Sequence, residues 1–267
     1  MKSEENKFAD VPLRVKTWIY IIIVFALGIS HPLSMVLFVS WIGLQSCFEF
    51  SKMFNLRANP VISSILIGIT QFYLLFYLNI EHYLLYSSLL GLLIVLYFLV
   101  LKSSKDQLYG LTIALLVSLF SFPHLYWIRD SIHGLHSIIF IVVVTELNDV
   151  FQYLTGKFFG KHKITPQTSP NKTLEGLIGG VFLTTILSNI LGYFLLKTNI
   201  LTNSILGLTL GLSGFFGDIF ISYLKRKTGV KDTGNLLPGH GGLLDRVDSL
   251  IFNAPLFFWI FPLLIKN

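Results

Sequence analysis

Residues 203–221, NSILGLTLGLSGFFGDIFI, run straight into residues 222–249, SYLKRKTGVKDTGNLLPGHGGLLDRVDS. The first stretch is apolar and about as long as a helix needs to be to cross a bilayer core. Its glycines at 207, 211, 214 and 217, with Ser204 and Ser213, form a small-residue stripe that lets a helix approach its neighbours closely. The second stretch gathers Lys225, Arg226, Lys227, Lys231, Asp232, His240, Asp245, Arg246 and Asp248 just beyond Asp218. Apolar sequence resumes at Leu250. So much charge between two membrane-length runs belongs where a membrane meets water. A basic loop that only orients a protein needs neither the acids nor the PGHGG turn.

The same pattern extends along the whole chain. Of 267 residues, 53% are hydrophobic and 13% charged, and the mean hydropathy is +0.70. Soluble domains are about a quarter charged, so the composition is that of a polytopic membrane protein. Nine apolar runs are expected to span, at about 15–30, 33–50, 60–79, 83–101, 108–127, 136–155, 176–196, 203–221 and 250–265. Only Ser30-His31-Pro32 separates the first two. Helices close their own backbone hydrogen bonds in lipid, so the expected fold is an all-α integral membrane bundle of about nine helices. It reads as one membrane domain, with amino-terminal helices in 1–135 and a catalytic half in 136–267.

With the amino terminus inside, 17 of the 20 Lys and Arg fall in cytoplasmic segments, and only Arg129, Lys197 and Lys266 fall outside. Both long polar loops, 156–175 and 222–249, then face the cytoplasm, where nucleotides are available. The expected location is the cell membrane. The net charge of +6 sits between apolar spans, which argues against nucleic acid as a partner. Cys47, the only cysteine, lies in an apolar run, so there is no intramolecular disulfide and no cysteine-based zinc site. The polar start MKSEENKFADVPLRVK lacks the order of a cleaved signal peptide, and the first run is expected to stay as a helix.

Asp218, Ser222 and Lys225 follow i, i+4, i+7 spacing and share a helical face. Asp245 and Asp248 are spaced i, i+3. Two helix ends could therefore bring three carboxylates around one ion, and an all-oxygen donor set suits Mg²⁺. Lys225, Arg226, Lys231 and Arg246 can neutralise a triphosphate. Gly239, Gly241 and Gly242 let backbone N–H groups approach an anion. His240 could bind phosphate, shuttle a proton or shape the loop. In the earlier loop Asp149 lies near the inner end of its span, where an unpaired carboxylate is costly. Thr173 or Ser169 is expected to cap the next helix, setting Lys172 near a helix amino terminus that favours phosphate. Glu49 and Glu146 also lie near inner span ends, where ion-site support and simple interfacial placement are both open. His133 and His136 are read as part of an external polar loop.

The run S-Y-L-K-R-x4-K-D-x-G-x2-L-P-x-H-G-G-L-x-D-R-V-D, Ser222 to Asp248, resembles the signature of the phosphatidate cytidylyltransferases (CDP-diacylglycerol synthases). Asp149, Gly156-Lys157, Phe159-Gly160-Lys161, Ser169-Pro170, Lys172-Thr173, Glu175-Gly176 and Gly179-Gly180 resemble the same family's second motif. Together the matches cover about 100 residues of the carboxyl-terminal half, with Glu49 a further match. Gln152 and Leu174 depart from the commoner pattern, where a small residue and tryptophan are frequent.

The resemblance implies that CTP and phosphatidic acid give CDP-diacylglycerol and pyrophosphate at the bilayer. It implies that Asp218, Asp245 and Asp248 serve the metal centre, with Asp149 and Glu175 in support. Lys225, Arg226, Lys231, Asp232, His240 and Arg246 are the expected catalytic residues. Ser169, Lys172, Ser222, Gly241 and Gly242 are expected to bind substrate. A monovalent cation beside Mg²⁺ and a homodimer are left open. The alternatives are a CTP-dependent transferase or kinase for another lipid, which product analysis separates, and a transporter of anionic lipids. A transport pathway usually sets polar groups near the middle of the bilayer, whereas these gather at one face.

Overall fold

The computed structural model describes residues 11–131 and 133–265, with side chains from Lys16 onward. The described chain is helical apart from turns and two isolated β-bridges. The helices are α1 (Val11–Ser30), α2 (Pro32–Met53), α3 (Pro60–Tyr77), α4 (Ile80–Val100), α5 (Lys105–Leu116), α6 (Pro123–Asp130), α7 (Gly134–Phe159), α8 (Leu174–Leu191), α9 (Ile200–Lys227), α10 (Leu244–Val247) and α11 (Leu250–Ile265). Among the described residues, seven helical segments are long and apolar enough to cross a membrane, and two shorter apolar helices lie at 16–30 and 250–265. Each expected span falls on one of these nine segments. The chain is thus an all-α, multi-pass membrane bundle.

Local chemistry sets the ends of the helices. Asn59, Asn79, Thr173 and Asn199 each precede a helix and accept a hydrogen bond from a first-turn N–H. Such a cap satisfies one of the donors that a helix start leaves open. Between α7 and α8 the cap is Thr173, not Ser169: its Oγ1 accepts from Gly176 N at 3.1 Å. His31 divides α1 from α2, its ring accepting from Leu33 N at 3.1 Å.

The expected span at 108–127 departs from a straight helix. A π-helical turn, Val117–Ser121, joins α5 to α6. Pro123 has no N–H to give to the carbonyl four residues back, and its ring pushes that carbonyl aside. Buried side chains take over the released groups: Tyr83 Oη donates to Leu119 O at 3.0 Å, and Gln71 Nε2 donates to Ser118 O at 3.0 Å. Pro255 inside α11 is handled alike, with Ser121 Oγ donating to Ile251 O. Without water, each such carbonyl needs a protein partner.

α2 packs against α1, α3, α5 and α6; α9 packs against α7, α8 and α11, and α7 packs against α8 and α11. α4 is mostly exposed and apolar, a lipid-facing helix. Cross-links gather four connections at one end of the bundle. Gln107 Nε2 donates to Asn55 O at 2.8 Å, and Arg57 donates to Leu101 O. The Lys227 ammonium lies 3.2 Å from Asp106, and Arg226 Nε donates to Thr168 O at 3.4 Å. At the opposite end Arg129 donates to Ile29 O and Ser30 O.

Candidate active site

The glycine stripe of α9 fixes the floor of the site. A Cβ on Gly207 would meet Thr185 Cα at 2.6 Å, one on Gly211 would meet Val181, and one on Gly214 would meet Asn148 Nδ2 at 3.1 Å. A Cβ on Gly217 would meet Asp248 O at 2.5 Å. α9 therefore touches α7, α8 and the segment entering α11 with little more than backbone. The Asp149, Asp218 and Asp248 carboxylates come within electrostatic reach of one another. Ser249, with neither charge nor spacing to mark it in the sequence, ties two of these segments to α9. Its hydroxyl lies 3.0 Å from Asp149 Oδ2 and 3.1 Å from Gly214 O.

The other two acids are held differently from Asp149. The Lys172 ammonium lies 2.5 Å from Asp218 Oδ2, and Ser222 Oγ donates to Asp218 Oδ1 at 3.2 Å. Lys172 also stacks on the Phe215 ring, 4.9 Å from its centroid. Asp248 Oδ1 accepts from Ser249 N at 2.9 Å. Burial first, and then the Asp218 and Asp149 charges, hold the Asp248 carboxyl well above the ordinary carboxylate range. Asp149, Gln152, Ser169, Lys172, Thr173, Phe215 and Asp218 line a pocket between α7, α8 and α9.

Asp245, expected as a cation ligand beside Asp218 and Asp248, is engaged elsewhere. Its Oδ1 accepts from Lys225 Nζ at 2.6 Å, and its Oδ2 accepts from Thr233 N and Gly242 N, both at 2.9 Å. The carboxylate is 6% exposed. In this arrangement Asp245 shapes the loop and holds Lys225. Thr233, with no charge or spacing to mark it in the sequence, also reaches Glu49. Glu175 likewise organises a loop: its Oε2 accepts from Lys161 N at 2.9 Å and His162 N at 3.1 Å, and its Oε1 lies 2.5 Å from His162 Nδ1.

The PGHGG segment is a type II turn closed by a short bridge. His240 N donates to Leu237 O at 2.8 Å, and Leu237 N donates to Gly241 O at 2.9 Å. Pro238 supplies the first central position, and Gly239, with φ +75°, supplies the second. Gly241, at φ +85°, lies so near Asp245 Oδ2 that a Cβ would meet it at 2.6 Å. Arg246 donates twice to His240 O, at 3.2 and 3.3 Å, and its charge also acts on Glu146 and Asp149. The Trp18 ring stands edge-on to His240, 6.1 Å between centroids. Lys231 and Asp232 are exposed on the same loop.

Among the described residues, no three His, Cys, Asp or Glu side chains are grouped closely enough to hold a metal ion as they stand. The donor chemistry fits a hard cation nonetheless. Asp149, Asp218 and Asp248 offer oxygens alone, and their mutual repulsion falls when positive charge enters.

The cytidylyltransferase family model matches residues 13–264, nearly the whole chain. The chain belongs to the cytidylyltransferase family. The chain is 40% identical to the uncharacterised Escherichia coli protein YnbB over 266 residues, which cover 96% of the chain and 88% of that protein. It is 41% identical to the Staphylococcus aureus phosphatidate cytidylyltransferase over 166 residues, 61% of this chain and 64% of the relative. It is 46% identical to the Helicobacter pylori phosphatidate cytidylyltransferase over 121 residues, 45% of each chain. The matched segments thus span less than two thirds of either named enzyme.

Proposed function

We propose that the protein is a phosphatidate cytidylyltransferase, joining CTP and phosphatidic acid into CDP-diacylglycerol with release of pyrophosphate. One observation carries the reading: carboxylates and cations from α7, the 160–173 loop, α9 and the 228–249 segment converge at one end of a membrane bundle. A lipid phosphate oxygen attacks the α-phosphorus of CTP in line, the new P–O bond forms, and the bond to the β-phosphate oxygen breaks. The acceptor is an anion near neutral pH, so no strong general base is needed. The barrier lies in bringing two anions together and in the charge that grows on pyrophosphate.

In this reading Lys225, Arg226, Lys231 and Arg246 carry the triphosphate, and Lys172, Ser169 and Ser222 receive phosphate at the pocket between α7, α8 and α9. Gly241, Gly242 and His240 shape the loop against the nucleotide, with Asp232 at its exposed rim. Asp218 and Asp248, with Asp149, would hold Mg²⁺, which would screen the reacting phosphates from one another. Asp245 holds Lys225 in line. The site end faces the cytoplasm of the cell membrane, so CTP arrives from water while acyl chains stay in lipid.

The test is purified protein in lipid or detergent with labelled CTP, phosphatidic acid and Mg²⁺. CDP-diacylglycerol and pyrophosphate are expected in equal amounts. Asp218→Asn should lower turnover by about a hundredfold or more, given the charge it removes from the reacting centre. Free CDP as the product, or no CDP-lipid above background, removes the assignment.

A further inference from the structure

The carboxylate of Glu49 lies on α2, in the amino-terminal half, yet it is 1% exposed and saturated by the loop that carries the site. Its Oε1 accepts from Leu243 N at 2.7 Å and Gln45 Nε2 at 2.9 Å. Its Oε2 accepts from Thr233 Oγ1 at 2.7 Å and Leu244 N at 2.9 Å. Three of these four donors lie 184–195 residues away in sequence. The fit leaves little slack, because a Cβ on Gly242 would meet Glu49 Oε2 at 2.5 Å.

We infer that Glu49 is a positioning residue for the proposed transfer, latching the 228–249 segment to α2 so that Lys225, Asp245 and Arg246 keep a fixed register. This inference rests on the functional reading above only for its kinetic consequence. The chemistry of the latch is specific. Leu243 N and Leu244 N open the short α10 turn that carries Asp245 and Arg246, and helix-start N–H groups need an acceptor. Two adjacent backbone donors, a hydroxyl and an amide all point inward, so the position requires a side chain that only accepts. A carboxylate does; an amide puts an NH₂ against one of the N–H groups. From Glu49 the chain of contacts runs through Thr233, whose backbone N donates to Asp245 Oδ2, to Asp245 Oδ1 and Lys225 Nζ. Removing the acceptor leaves buried donors unmatched, and the loop regains freedom just where charges must be held still.

The experiment compares wild type with Glu49→Gln, Glu49→Asp, Thr233→Val and the Glu49→Gln/Thr233→Val double variant. Ser46→Ala, one turn earlier on α2, is the control. Two readouts are taken: CDP-lipid formation across a range of CTP concentrations, and trypsin cleavage at the exposed Lys231. Glu49→Gln should lower kcat/KM for CTP at least tenfold and speed cleavage at Lys231 several-fold, with Ser46→Ala unchanged in both. Glu49→Asp, which keeps the charge, should recover part of both. The double variant should be no worse than Glu49→Gln alone, since both act along one chain of contacts. Additive losses, or wild-type resistance to trypsin in Glu49→Gln, would overturn the latch. If wild type makes no CDP-lipid the functional reading fails, while the cleavage comparison still decides the latch.

Discussion

Asp218 and Asp245 show how one residue type takes different work from its surroundings. Both are aspartates paired with a lysine, yet Asp245 is closed in by Lys225 and backbone N–H groups, while Asp218 and its partner Lys172 line a pocket. Spacing along the chain revealed both acids and suggested that they share an ion. It could not reveal that Thr233 and Gly242 would saturate Asp245, because those contacts depend on a folded loop. Asp248 carries a pH prediction. Its carboxyl is raised by burial and by like charges, so the folded chain keeps a proton there at pH values where the unfolded chain has lost it. Without divalent cation, stability should therefore fall as pH rises from the ordinary carboxylate range through the raised value. Mg²⁺ competes with that proton, so the gain in melting temperature on adding Mg²⁺ should grow with pH and shrink in Asp248→Asn. A gain independent of pH, or undiminished in Asp248→Asn, contradicts the assignment of Asp248 to the cation.

At the scale of elements, α9 is the part on which the site is built. It has 28 residues, about 42 Å of helix, and so passes from one end of the bundle to the other. Its glycines were legible as a packing stripe, but not as the seat of the 248–249 backbone. Gly217→Ala sets a Cβ 2.5 Å from Asp248 O, and a backbone atom cannot swing away as a side chain can. The expected result is a loss of about a hundredfold in kcat, the scale of a misplaced reacting group. A Gly91→Ala control on α4, where an added Cβ meets nothing within 4 Å, should leave kcat unchanged and add about 0.5–1 kcal/mol of stability. Equal rates in the two variants, with both proteins folded, would show that close approach at Gly217 does not set the site. The break between α5 and α6 teaches a related lesson. Pro123 was visible in the sequence, whereas the π-turn depends on Tyr83 and Gln71 from other helices taking the released carbonyls.

For the whole molecule, the proposed orientation rests on charge, since 17 of the 20 Lys and Arg fall on one side of the expected spans. The folded bundle brings the 54–59, 101–104, 160–173 and 228–243 connections to one end, as alternating spans require. Cys47 is buried and is the only cysteine, which makes labelling straightforward. In a Cys47→Ser background, Lys231→Cys should react with a membrane-impermeant maleimide only after the membrane is opened. His133→Cys should react in intact cells. The reverse pattern would place the site outside the cell and remove CTP from reach.

What the sequence by itself determined is the set of membrane helices and the end at which charge collects. Hydrocarbon forbids an unpaired backbone group or a lone charge wherever the chain might otherwise put one, so the apolar runs leave little choice. The tertiary structure alone decided which carboxylate meets which partner. Asp149 and Ser249 stand 100 residues apart, and Glu49 and Leu244 stand 195 apart. Their meeting depends on how each helix is rotated and how closely glycine lets backbones approach, and neither is written in hydropathy or spacing.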